Sequence, residues 1–181
     1  MKRSVAAVAV LMLVVVGAAC AQSTVPKPSP GVKKWAMWDG NWTMVGTAKD
    51  EPSQPEYKLE WRDHEHWILG GFAQQGDSTW KGNGQELHFL EIASYDPAKK
   101  ANTFSGFGSD GTIWIGTAIF NDRTSLQNMT VTGPDGKVAT CRNEWVFSAD
   151  GKSVSAKSEC EQDGVRWVAY TVKGTRTKDG S

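Results

Sequence analysis

The residues best placed to do chemistry are few. Asp63-His64-Glu65-His66 is the densest titratable run in the chain. Histidines two positions apart on a strand share a face and could hold zinc or copper, with His88 on the next strand as a third ligand. No cysteine or acidic partner at ligand spacing completes that set, and the run reads as a hairpin turn over 63–65. The expectation is an exposed polar turn and no metal. Glu91 presents a different problem. It falls on the apolar parity of Leu87, Phe89 and Ala93, so its side chain should point inward, where an unpaired carboxylate is costly. Arg142 or Arg166 could pair it only if their own parity placed them inside. Otherwise Glu91 orients a ligand, or a local twist lets it reach solvent. No Gly-x-Ser-x-Gly elbow and no phosphate loop occurs. An enzyme is therefore not expected; a buried carboxylate acting as acid or base is the residual catalytic option.

Cys141 and Cys160 are the only cysteines beyond position 20. They lie in a stretch that reads as three antiparallel strands joined by Asp150-Gly151 and Asp163-Gly164 turns. A turn centred on Asp150-Gly151 sets Phe147 against Val154, Trp145 against Ala156, Asn143 against Ser158 and Cys141 against Cys160. Opposed residues share a face, so this register collects the apolar set on one side and Arg142, Glu144, Ser155, Lys157 and Glu159 on the other. A one-residue slip would scramble both faces. A Cys141–Cys160 disulfide inside or lining the core follows. Closing a loop of that length contributes roughly 3 kcal/mol in the chain-entropy model. The second turn sets Trp167 against Cys160 and Ala169 against Ser158, which places Thr171 on the inner face.

From Gly40 onward nearly everything alternates with period two. Ten strands are expected, at 41–49, 57–62, 66–75, 86–95, 100–108, 112–120, 124–132, 137–147, 152–161 and 165–175. Gly76 to Gly84, with Trp80 inside it, reads as a turn-rich connection. Short links join sequential neighbours, so the topology is up-and-down. Ten strands in an open meander would leave two edges and one bare face, and closure into a barrel removes both problems. A two-sheet sandwich of the same strands is the alternative. A ten-strand barrel is wider than its side chains fill, so a cavity is expected. Trp61, Glu91, Trp114, Asn143, Trp145 and Trp167 are the candidate ligand wall: aromatic surface with sparse polar points that set orientation.

The chain has 20 basic and 20 acidic residues, nine Trp and 19 Gly. Zero net charge offers no electrostatic argument for nucleic acid or an anionic membrane. Lys2 and Arg3 followed by the apolar run Val5 to Val16 read as a secretory leader over 1–21. Cleavage at Ala19-Cys20-Ala21 gives a mature chain from Gln22. Gly17-Ala18-Ala19-Cys20 alternatively resembles a lipoprotein box, with an anchor on Cys20 as the sole membrane contact. Both routes lead to a periplasmic or extracellular setting where a disulfide persists. Positions 22–34, with Pro26, Pro28 and Pro30, read as a tether. Ser29-Pro30 then caps one or two helical turns, with Val32, Trp35 and Ala36 on one face, plugging an end of the barrel domain at 35–177.

Gly40-Asn41-Trp42 after that turn resembles the Gly-x-Trp signature of lipocalins and other calycins. The wider pattern resembles a bacterial family of secreted lipocalin-like proteins known as a domain of unknown function. The matching pieces are Gly40-Asn41-Trp42, Tyr95-Asp96-Pro97-Ala98-Lys99-Lys100, Ser109-Asp110-Gly111, Phe147-Ser148-Ala149-Asp150-Gly151-Lys152, and Asp163-Gly164 with Trp167. The resemblance implies an all-β barrel with a ligand cavity and no established reaction. The ten-strand haem-binding calycins use a late histidine as iron ligand, and no histidine follows His88 here, so no cofactor is expected. The expected role is an exported, non-catalytic protein holding a small, largely apolar molecule. An envelope interaction module with a filled barrel is the alternative.

Overall fold

The structure, a computed structural model, describes residues 26–177. The leader, both cleavage sites and Cys20 lie outside the described residues. Ten strands follow in order: β1 Gly40–Ala48, β2 Tyr57–Ile68, β3 Ala73–Gly82, β4 Gln85–Asp96, β5 Ala101–Gly108, β6 Ile113–Asn121, β7 Thr124–Thr132, β8 Val138–Phe147, β9 Ser153–Gln162 and β10 Val165–Thr177. Each pairs antiparallel with its sequence neighbours, and β1 pairs with β10, so the sheet is a closed barrel. Closure satisfies both edge strands, which is why the up-and-down order wins over an open meander or a sandwich.

The hairpins obey their turn chemistry. Asp163-Gly164, with both φ positive (51° and 79°), joins β9 to β10 as a two-residue turn. Around Asp150-Gly151 the loop is wider, because Ser148 pairs with Ser153. The loop keeps the same centre, so Cys141 faces Cys160 and Trp145 faces Ala156 as expected. The cysteines form a disulfide.

Two expectations fail in instructive ways. The first is the hairpin at 63–65. β2 runs straight through that segment, and the chain turns instead at Leu69-Gly70-Gly71, all with positive φ. β3 then occupies the stretch expected to be a connection, up to the Asn83-Gly84 turn, also with two positive φ. The inward parity of Tyr57, Leu59 and Trp61 simply continues through Asp63 and Glu65. Polar residue types imitated a turn; parity was the better guide. The second failure is in β10. A bulge lies between Val168 and Tyr170, so Tyr170, not Ala169, faces Ser158. The bulge shifts every later side chain to the other face. Thr171 is therefore exposed, while Tyr170 and Val172 are buried.

One end of the barrel is stoppered. Residues Val32–Met37 form a 3-10 turn that begins inside the expected tether. Val32, Trp35 and Trp38 are buried while Ala36 is exposed. The buried spacing is three, the period of a 3-10 helix and not of an α-helix. Trp35 Nε1 donates to Ser94 O at 3.1 Å, and its ring packs edge-on against Phe104 and Phe120. Trp38 packs edge-on against Trp145 and Phe147. Trp42, from the Gly-x-Trp signature, is buried beside it and donates Nε1 to Trp38 O at 2.7 Å. Arg176 covers the Trp42 ring and donates to Met37 O.

Candidate functional site: an acidic, indole-lined cavity

The barrel encloses a cavity of about 570 Å³ that reaches from the Trp35 and Trp38 floor to loops at the opposite end. All six expected wall residues line it: Trp61, Glu91, Trp114, Asn143, Trp145 and Trp167. Depth can be followed along the paired rows. Trp61, Trp80 and Leu87 form one row across β2, β3 and β4; Asp63, Ser78 and Phe89 form the next; Glu65, Gly76 and Glu91 lie deeper.

The deepest of these rows is built by glycine. Gly76 sits between Glu65 and Glu91, and a Cβ there would collide with Glu65 Oε1. Gly106 likewise sits between Glu91 and Trp114, and a Cβ there would collide with the Trp114 ring. Missing side chains on alternate strands let the large ones lean over their neighbours. Trp114 Nε1 can thereby reach across β5 to donate to Glu91 Oε2 at 2.7 Å.

That indole is the partner of Glu91. Neither arginine takes the role, because Arg142 and Arg166 face outward, and Arg166 pairs with Glu161. Burial pushes the Glu91 carboxyl up to about 7, against a smaller opposing pull from the Trp114 hydrogen bond. Asp63 and Glu65 are buried and hydrogen-bonded to each other. Burial lifts both above the usual carboxylate range, and their mutual repulsion with Glu91 lifts them further. Two carboxyls so close share a proton more readily than they both ionise. Burial also raises the Tyr170 hydroxyl, with Glu91 adding to the shift.

The histidines are elsewhere. His64 and His66 lie on the outer face of β2 with rings stacked 5.0 Å apart, and His64 Nδ1 is 2.7 Å from Asn41 Oδ1. His88 is held at Thr79 on a different row. Among the described residues no group of three His, Cys, Asp or Glu side chains is arranged to hold a metal.

The opposite wall is neutral and polar. Gln127 Oε1 accepts from Trp145 Nε1 at 3.2 Å and from Asn143 Nδ2 at 3.3 Å. Ser158 is fully buried between Asn143 and the disulfide. Trp167 stands nearer the mouth, its Nε1 donating to Lys49 O at 3.0 Å. Asp63, Glu65, Trp80, Gln127 and Tyr170 are wall residues that sequence reasoning missed. For the first three the usable signals were the unbroken parity of β2 and the Asn83-Gly84 turn. For Tyr170 there was none, since nothing in the sequence announces the bulge.

No family model matches the chain, and no curated protein matches it either. Among solved structures it is similar to the one titled "Crystal Structure of Rv2717c from M. tuberculosis", at 10% identity and a TM-score of 0.62, covering 84% of this chain and 100% of that one. At that identity the likeness shows the barrel fold alone.

Proposed function

We propose that the chain is an exported, non-catalytic barrel of lipocalin type that holds a small, largely apolar molecule. The cavity carries this proposal. It has about 570 Å³ of room, indole walls, a stoppered floor and polar groups gathered on two facing walls, the makeup of a small-molecule container. Removing a ligand's apolar surface from water would supply the driving force, at about 25 cal/mol per Å² buried. Export is supported by the leader-like N-terminus and by the Cys141–Cys160 disulfide, a bond typical of oxidising compartments. Trp61, Trp114, Trp145 and Trp167 make intrinsic fluorescence a direct probe. Titration with lipids, pigments and haem should quench or shift that emission for at least one class. No response across the whole panel would sink the container role.

A second role has its own observation. Phe107, Ile113, Ile115 and Ile119 expose an apolar row on the outer face of β5 and β6. An interaction module would use that face. Its signature would be concentration-dependent association that Ile115→Lys abolishes while ligand response is unchanged.

A further inference from the structure

The cavity is electrostatically one-sided. Asp63, Glu65 and Glu91 project from the β2–β4 wall, and the charges acting most strongly on Asp63 and Glu65 are other carboxylates. Among the described residues that line the cavity, the only cations are Lys49 and Lys137. Both belong to loops at the mouth, and Lys137 is already paired with Asp135 and Glu51. Among the described residues no cation meets the three inner carboxyls.

The facing wall points the same way independently. Asn143 is only 4% exposed. An indole N–H can only donate, so Trp145 obliges Gln127 to present its oxygen, and Gln127 in turn obliges Asn143 to present its NH2. Asn143 Oδ1 is left buried in the cavity wall as an acceptor with no partner. Buried polar groups are rarely left so unless a bound molecule or water completes them. The indole N–H groups of Trp38 and Trp80 are also unpartnered. They are neutral, so they ask for an acceptor on the ligand's body and do not offset the carboxyls. On the mouth side of the acids, Trp61 and Trp80 meet Tyr170 of β10, with ring centroids 5.5 to 5.9 Å apart. Indole and phenol faces attract cations.

We infer that the cavity takes an organic cation: a protonated amine on a flat apolar body, its nitrogen at Asp63, Glu65 and Glu91 and its body against Trp61, Trp80 and Tyr170. This rests on the container role above and names its ligand class. Burial lifts all three inner carboxyls above the usual carboxylate range, so an arriving ammonium group displaces a proton to water and takes its place as the charged partner. A bare metal ion fits less well, since among the described residues no three ligating side chains are arranged to hold one.

Calorimetry with three probes of one shape tests this: naphthylethylamine, naphthylethanol and naphthylacetate, at about pH 8, where the amine is charged. The amine should bind at least about tenfold tighter than the alcohol, with the acetate weakest. Glu65→Gln with Glu91→Gln should erase the amine's advantage over the alcohol. Asp63→Asn is an independent variant with the same expectation, in case the double variant folds poorly. Alcohol binding within about twofold of the amine overturns the inference and leaves the container role standing. An amine preference that survives in folded variants also overturns it. Failure of the amine to bind overturns the inference, while the container role is decided by the fluorescence panel.

Discussion

Glu91 has a consequence for stability at the level of one side chain. Its carboxyl titrates near 7 in the barrel against an ordinary 4.5. The folded chain therefore keeps a proton that the unfolded chain has released. There is no penalty below about pH 4.5; stability falls as pH rises, and the loss is complete once pH passes the folded value near 7. Asp63 and Glu65 act in the same direction, since both are raised. Urea midpoints should thus decline from about pH 4.5 to pH 8, by an amount on the order of 2 kcal/mol for Glu91 alone, discounted for the surface it shows the cavity. Glu91→Gln should flatten that slope while its amide oxygen still accepts from Trp114. A slope unchanged in the variant would mean that Glu91 is ionised in the fold. The inward parity of Glu91 was legible from Leu87, Phe89 and Ala93. Its partner was not, because Trp114 lies two strands away and reaches it only over Gly106.

At the scale of elements, the β8–β9 hairpin and the β2–β3 hairpin behave oppositely. In β8–β9, turn residues and apolar parity agree, and every expected pair is present. The disulfide ties residues 19 apart in sequence. Its loss in Cys141→Ser with Cys160→Ser should cost about 3 kcal/mol, read from denaturation curves, with reductant giving a similar drop in the parent chain. In β2–β3 the two signals disagree: Asp63-His64-Glu65-His66 has the composition of a turn and the parity of a strand. Parity wins because the barrel interior tolerates acids that are hydrogen-bonded or share a proton, whereas breaking β2 there would leave ladder hydrogen bonds unmade.

For the whole molecule, closure and the floor decide whether there is a container at all. Trp35 is nearly fully buried and links the 3-10 turn to β4, β5 and β6. Trp35→Ala should cost about 3–5 kcal/mol. It should also admit aqueous quencher from the floor, seen as stronger acrylamide quenching of the remaining tryptophans at concentrations where the variant is still folded. Unchanged quenching in the folded variant would show that Trp38 and Trp42 seal the floor without it.

The sequence by itself determined the all-β class, the strand count, the closing hairpins and the disulfide, because those depend on period-two alternation and on turn residues, which are local. It also placed Glu91, Asn143 and the four wall tryptophans on the inner face. Tertiary structure alone decided what those residues meet. Closure of β1 on β10 brings the β2–β4 acids opposite Asn143 and Gln127, glycines on intervening strands let Glu65, Glu91 and Trp114 converge, and a single bulge turns Tyr170 inward. Each of these is a relation between strands far apart in the chain, set by pairing and packing across the barrel, and no local pattern encodes it.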